Sequence, residues 1–323
     1  MSSQIAPVEV TPSAAPNPRR WPDRLFHALT LAGALAIVVL ILLVGWELYR
    51  GSKLALHEFG WKFLVSTDWD PVNDQFGALP FIFGTFVSSL IALLIAVPLS
   101  IGTAIYLTDL APVWLRQPLT SVIEMLAAVP SVIWGLWGIF VLVPWLRVSI
   151  YPVLQKWLGF LPLFKGPIYG IGMLTGGIIV AIMILPIVTS VSREVLRSVP
   201  NLQREAAYGL GATRWEVTRI AVLSYARRGL FGAAVLGLGR ALGETMAVTM
   251  VIGNTPQIAA SLFAPAYSLA SVIANEFNEA TTQLYRHALV ELGLVLLGVT
   301  ILINIIALVL VRAITSAETR RVA

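Results

Sequence analysis

The chain has 323 residues, 57% of them hydrophobic and only 12% charged, with a net charge of +5 and no cysteine, and its mean hydropathy is +0.82. A soluble fold cannot cover so much apolar surface, so the composition excludes a water-soluble globular domain and points to an integral membrane protein. Without cysteine, disulfides, thiolate catalysis and Cys-based metal sites are excluded together.

Residues 1–20, rich in Ser, Pro and Ala, have too few large apolar groups to fold alone and are expected to form a disordered cytoplasmic tail. Six apolar stretches follow, at 25–46, 78–107, 119–146, 168–191, 229–252 and 288–311, each near or above the roughly 20 residues needed to cross the hydrocarbon core. They are continuous runs without the alternation of a β-barrel. The expected fold class is therefore an all-α membrane protein with six transmembrane helices. The first stretch is too long for a signal-peptide core and no small-residue cleavage site follows it closely, so it reads as a retained anchor. Residues 47–75 then form an extracytoplasmic loop that reads as amphipathic and surface-lying, with Trp46, Tyr49, Trp61 and Trp69 where interfacial aromatics are expected. Pro98, Gly102, Pro130, Gly135, Gly138 and Pro186 permit kinks and close helix approach, and Gly172-x-x-x-Gly176 and Gly239-x-x-x-Gly243 read as small-residue packing faces.

Between the fourth and fifth stretches lies a polar loop of 36 residues, 192–227, containing Glu205-Ala206-Ala207 and Gly211. Glu205-Ala206-Ala207 starts well as a helix, Gly211 suits a sharp turn out of it, and Thr213 can cap a restart through Arg214-Trp215-Glu216. Within the fifth stretch, Arg240 and Glu244 stand one helical turn apart on one face. Such a pair is expensive in lipid and implies either an ion path or a lock between helices. Arg240 offers five donors in a fork that matches phosphate oxygens, and Glu244 can neutralise it between transport events. Glu124 and Glu291 fall near span ends, where snorkelling is an equal explanation. After Ile252 the pattern breaks at Gly253-Asn254-Thr255-Pro256, and the uncharged stretch up to Asn275 reads as a re-entrant or surface-lying element.

The basic residues give the orientation: with the N-terminus inside, fourteen fall on the cytoplasmic side and seven outside, and with Arg240 in a span these make up all 22. Both termini are expected in the cytoplasm of a multi-pass plasma (inner) membrane protein. The positive charge thus reflects topology, and no basic face carries the interleaved aromatics of nucleic-acid binding. No Gly-x-x-x-x-Gly-Lys-Ser/Thr, Rossmann spacing or Gly-x-Ser-x-Gly elbow is present. His27, His57 and His287 lack metal-ligand spacing, so neither a metal nor a cofactor is expected, nor an enzyme.

The run from Glu205 to Glu216 resembles the EAA loop of ABC-transporter permeases, the segment whose short helix docks into a cleft on the ATPase subunit; Ala221 and Ser224 depart from its pattern, where Ile and Pro are common. The run Gly237-Leu238-Gly239-Arg240-Ala241-Leu242-Gly243-Glu244-Thr245-Met246-Ala247-Val248, with Ile252-Gly253-Asn254-Thr255 and Ala274-Asn275-Glu276-Phe277, is similar to the PstC-type permeases of bacterial phosphate importers. Its Arg-Ala-x-Gly-Glu core recurs in sulfate- and molybdate-class permeases, and the PstA-like subunit resembles it too, so both remain alternatives. A membrane scaffold or signalling subunit whose Arg240–Glu244 pair is structural is the alternative from another class.

The resemblance implies a type I ABC importer permease (MetI-like) architecture and a non-catalytic subunit forming half of a phosphate path. Its implied partners are a PstA-like second permease, a PstB-like ABC ATPase dimer, an extracytoplasmic PstS-like phosphate-binding protein and membrane lipid. It assigns the substrate pathway to Arg240, Glu244 and Thr245, and coupling to Glu205, Ala206, Ala207, Gly211, Thr213 and Trp215. The chain then divides into the tail 1–20, a first helix and outer loop at 21–77, a permease core at 78–312 with the coupling loop 192–228, and a cytoplasmic tail at 313–323.

Overall fold

The computed structural model describes residues 21–322, so the tail expected at 1–20 lies outside the described residues. Among the described residues the secondary structure is helical apart from two isolated bridges, and six helical runs are long and apolar enough to cross a membrane. The chain divides between Glu47 and Leu48 into two units. The first comprises, among the described residues, the N-terminal part of α1 (Trp21–Phe59), whose apolar side chains such as Leu35, Leu40 and Leu42 are exposed.

The loop expected from residue 47 is helical up to Phe59, because nothing stops α1 before Gly60, which takes φ +52° and bonds its N–H to Leu56 O at 3.1 Å. After the single turn α2 (Lys62–Val65), a tight turn forms on Asp70, whose Oδ1 accepts from the N–H groups of Val72 and Asn73 at 3.0 and 3.3 Å. The Asn73 amide, then the Val72 N–H, hold the Asp70 carboxyl below its usual range. Trp69 is not the interfacial aromatic expected: it packs edge-on against Phe76 and Phe81 and donates from Nε1 to Glu276 at 2.9 Å.

The second span is α3 (Leu79–Ile105), continued by a π-helical turn at Tyr106–Leu110. The third departs from the expected 119–146. Pro130 has no N–H to donate and breaks the helix, so α4 (Val113–Ala127) is a separate element. The span itself runs through α5 (Ser131–Trp137), α6 (Val143–Trp145) and α7 (Tyr151–Leu158), joined by π-helical turns at Gly138–Leu142 and Leu146–Ile150. Each π turn ends two residues before a proline, Pro144 or Pro152, and the extra residue absorbs the missing N–H without ending the span.

The fourth span is α8 (Met173–Arg197), followed by α9 (Asn201–Gly209), the short α10 (Arg214–Glu216), a π-helical turn at Val217–Val222, and α11 (Leu223–Leu242). The fifth span, expected to run unbroken from 229 to 252, instead stops at Leu242 and resumes after Gly243-Glu244-Thr245 as α12 (Met246–Val251). Residues 252–268 fold back, with Ala266 N–H on Ile252 O at 3.0 Å, and lead into α13 (Leu269–Glu276). The last span opens α14 (Gln283–Val322), whose helix also covers residues 313–322.

We call the end of the bundle bearing α9 the loop end and the opposite end, with residues 252–276, the far end. The fold-back segment, which we call re-entrant, is enclosed by protein: Phe263, Ala266 and Tyr267 are buried, and its carbonyls, with that of Val251 at the end of α12, serve the start of α8. Val251 O accepts from Gly172 N–H at 3.0 Å, Ala264 O from Met173 at 3.0 Å and Leu262 O from Leu174 at 2.9 Å. Irregular backbone at membrane depth is tolerated only when enclosed by protein in this way. One core packs α3, α8 and α12 around Ile179, Ile184 and Val251; a second, at the far end, joins Phe63, Phe81, Tyr267 and Leu289; a third, at the loop end, joins Ile105, Leu196 and Val222.

Gly84 shows how closely α3 meets the re-entrant segment, since a Cβ there would run into the Tyr267 carbonyl. Gly102 on the same helix has open space around it. Gly84→Ala is therefore expected to destabilise the protein by about 1–3 kcal/mol, whereas Gly102→Ala is expected to be neutral or to stabilise by about 0.5–1 kcal/mol. Thermal unfolding of the two variants in detergent checks the contrast; equal midpoints would contradict this packing.

Candidate substrate pathway and coupling loop

Arg240 lies in the last turn of α11 and Glu244 just past its end, so the pair spans a helix break and does not share one continuous face as expected. Gly243 ends α11, and Glu244 Oε1 reaches back toward Ala247 N–H, 3.5 Å away, at the start of α12. Arg240 Nη2 stands 3.9 Å from Glu244 Oε2, a long contact between a half-exposed guanidinium (47%) and a buried carboxylate (7%). Thr245, placed with them from the sequence, turns to Gly243 O at 3.2 Å.

Arg240 lines a cavity of about 420 Å³ with Ile187 of α8, Gly232, Val235, Leu236 and Gly239 of α11, and Asn304 of α14. Gly239 is expected from the sequence as half of a packing face, but among the described residues nothing lies within 4 Å of a Cβ built on it or on Gly232. Gly172 likewise stands before α8, pressed against Phe263 O, and offers no helix face. Asn304 is a polar group across the cavity from Arg240 that the sequence reading missed; its Nδ2 donates to Thr300 O at 2.9 Å. A lone amide in an apolar run was the available signal. Glu124 is accounted for by Arg193, 3.4 Å away, and Glu291 is buried along a separate, mainly apolar cavity of about 710 Å³ at the far end.

The six residues assigned to coupling sit together at the loop end. Glu205 and Ala206 are exposed on α9 and Ala207 is half-buried. Gly211 takes φ +84°, a left-handed conformation that strains any residue with a Cβ. Thr213 caps the next helix through a reciprocal box: its N–H donates to Glu216 Oε2 at 2.7 Å, and Glu216 N–H donates to Thr213 Oγ1 at 3.4 Å. The turn leaves an apolar knob in the open at Leu210, 91% exposed, and Leu202 (76%) and Tyr208 on α9 and Trp215 (57%) on α10 are exposed as well.

Asp109, which the sequence reading did not single out, holds this loop. It belongs to the π-helical turn that ends α3, and its Oδ1 accepts from Arg204 Nη1 at 2.5 Å while its Oδ2 lies 3.1 Å from Thr218 Oγ1. Arg204 also donates from Nη2 to Leu196 O at 2.9 Å, near the end of α8. One largely buried carboxylate (9% exposed) thus joins α3, α8, α9 and the start of the fifth span.

Six helical runs long and apolar enough to cross a membrane, among the described residues, define a multi-pass membrane protein. The chain belongs to the family described as "Binding-protein-dependent transport system inner membrane component", whose sequence model matches residues 96–319. It is 51% identical over 289 residues to the "Phosphate transport system permease protein PstC" of Mesorhizobium japonicum, covering 88% of each chain. It is 49% identical to the protein of the same description from Haemophilus influenzae, over 89% of this chain and 92% of that one. The "Probable phosphate transport system permease protein PstC" of Methanocaldococcus jannaschii is 35% identical over 88% and 91%. A solved structure of the MetNI methionine ABC transporter in inward-facing conformations superposes with a TM-score of 0.50 at 16% identity, covering 73% of this chain and 94% of that chain. The fold is thus that of the type I ABC importer permeases, and such permeases work with an ATPase and further subunits.

Proposed function

We propose that the chain is the transmembrane permease subunit of an ATP-driven importer of inorganic phosphate. The observation that carries this is the Arg240 guanidinium, half-exposed on the wall of an open cavity, in a chain whose relatives are described as phosphate permeases. A guanidinium presents a planar fork of donors to a tetrahedral oxyanion. The buried Glu244 carboxylate 3.9 Å away weakens its hold, so the anion is attracted without being trapped. In this reading the loop end is cytoplasmic, the far end faces outward, and both termini are inside. Residues 78–312 are the permease core, preceded by an anchor helix and outer segment at 21–77. The partners are a PstA-like permease completing the path, two PstB-like ATPase subunits, one of them seated on Glu205, Ala206, Ala207, Gly211, Thr213 and Trp215, and a PstS-like protein delivering phosphate outside. Arg240, Glu244 and Thr245 belong to the path, which opens alternately to either side as the ATPase pair closes and parts.

The test is uptake of radiolabelled phosphate into proteoliposomes holding the whole complex, with and without ATP inside the ATPase compartment. Uptake that needs ATP and persists in excess sulfate is expected. Inhibition by sulfate or molybdate would assign the path to that class of oxyanion instead.

A further inference from the structure

The coupling loop needs a rigid connection to the spans if a movement at its surface is to reach the path, and Asp109 supplies one with unusual economy. It lies at the loop end of α3 in a π-helical turn, closed by Ala111 N–H on Tyr106 O at 2.7 Å. A π turn rotates the following residues about the helix axis relative to a plain α-helix, which re-aims their side chains; such turns recur at functional sites. Here the re-aimed carboxylate meets Arg204 of the coupling helix and Thr218 of the fifth span together. Arg204 in turn closes on Leu196 O, so the connection is braced from α8 as well.

The opposite end of the same helix is also tied. Thr85 Oγ1 accepts from Leu269 N–H at 2.8 Å, where the re-entrant segment enters α13, and Gly84 lies against the Tyr267 carbonyl. Thr85 and Asp109 are 24 positions apart along the sequence, about 36 Å at 1.5 Å per residue. A single helix therefore joins the coupling loop to the re-entrant segment.

We propose that Asp109 is a positioning residue that locks the coupling loop to α3, and that α3 carries the motor's movement to the re-entrant segment through Thr85 and Gly84. This rests on the permease reading above. A buried ion pair is weak grounds for stability, since desolvation offsets its attraction. Its worth here is geometric: it makes α3, α9 and the fifth span move as one body, which a neutral contact at the same place would do loosely.

Phosphate uptake and ATP hydrolysis are measured together in proteoliposomes of the complete complex, and the ratio of the two is the readout. Asp109→Asn keeps the shape and removes the charge; it is expected to lower phosphate moved per ATP about tenfold while the ATPase subunits stay bound and hydrolyse ATP. Thr218→Val leaves the ion pair in place and is expected to lower the ratio several-fold, which serves if Asp109→Asn does not assemble. Thr85→Val, which removes the acceptor for Leu269 N–H, is expected to lower the ratio as well. Thr103→Val, on the same helix but half-buried and, among the described residues, bonded by its hydroxyl to Leu99 O of its own helix, is expected to leave it unchanged. A wild-type ratio in Asp109→Asn and Thr218→Val overturns the lock, and a wild-type ratio in Thr85→Val overturns the transmission through α3. If the unaltered complex moves no phosphate with ATP, the proposed function fails before the lock is in question.

Discussion

In cells that rely on this permease for phosphate, Arg240→Gln is expected to lower uptake by about tenfold or more, since hydrogen bonds to a charged partner contribute about 1.5–3 kcal/mol. The substitution keeps a polar, though shorter, side chain in a half-exposed position, so the amount of protein in the membrane is expected to stay normal. Arg240→Lys keeps the charge but loses the planar fork and is expected to retain part of the activity. Glu244→Gln works in the opposite sense. It removes the carboxylate that competes for Arg240 while keeping an oxygen near Ala247 N–H; phosphate is then held more tightly and released more slowly, lowering both the half-saturating concentration and the maximal rate. Uptake at the wild-type level in Arg240→Gln, with normal expression, would make the pair a structural feature of the bend between α11 and α12.

The second large effect is expected at Leu210. Its side chain is 91% exposed at the tip of the turn, where a surface leucine has no folding role to lose. Burying a leucine in a partner's cleft is worth about 1.5–3 kcal/mol, and an aspartate placed there adds an unpaired charge to desolvate. Leu210→Asp is therefore expected to weaken binding of the ATPase subunits about a hundredfold or more, following the tenfold per 1.4 kcal/mol relation, with the permease itself folding normally. Co-purification of the ATPase subunits with the variant measures this. Retention at the wild-type level would mean that the apolar knob does not meet the motor.

The six spans were legible because each is a long apolar run, a property a helix in lipid must have and a loop cannot share. The turn expected to couple was legible for a different reason: Gly211, Thr213 and Glu216 act within six residues, so the sequence holds all the partners of the cap. What was misread depends on distant residues or on proline. Pro130 moves the third span toward higher numbers, and Pro144 and Pro152 are absorbed by π turns that no hydropathy pattern reveals. Trp69 has the composition of an interfacial residue, and only Phe76, Phe81 and Glu276 make it a core one. Asp109 is one acid near the end of a span until Arg204, 95 positions away, comes into contact. Arg240 and Glu244 were found by their cost in lipid, but the break between them was not, since Gly243 sits in an otherwise helical run.

The carbonyls of Val251, Leu262 and Ala264 that close over the start of α8 have an electrostatic meaning as well as a structural one. The first N–H groups of a helix are a ready receptor for phosphate, and a bare helix start at the far end would catch the anion before it reached the path. Here the protein's own backbone occupies the N–H groups of Gly172, Met173 and Leu174. In the proposed phosphate reading, with the far end outward, the entrance is thereby kept from becoming a resting place, and selection of the ion falls to side chains deeper in.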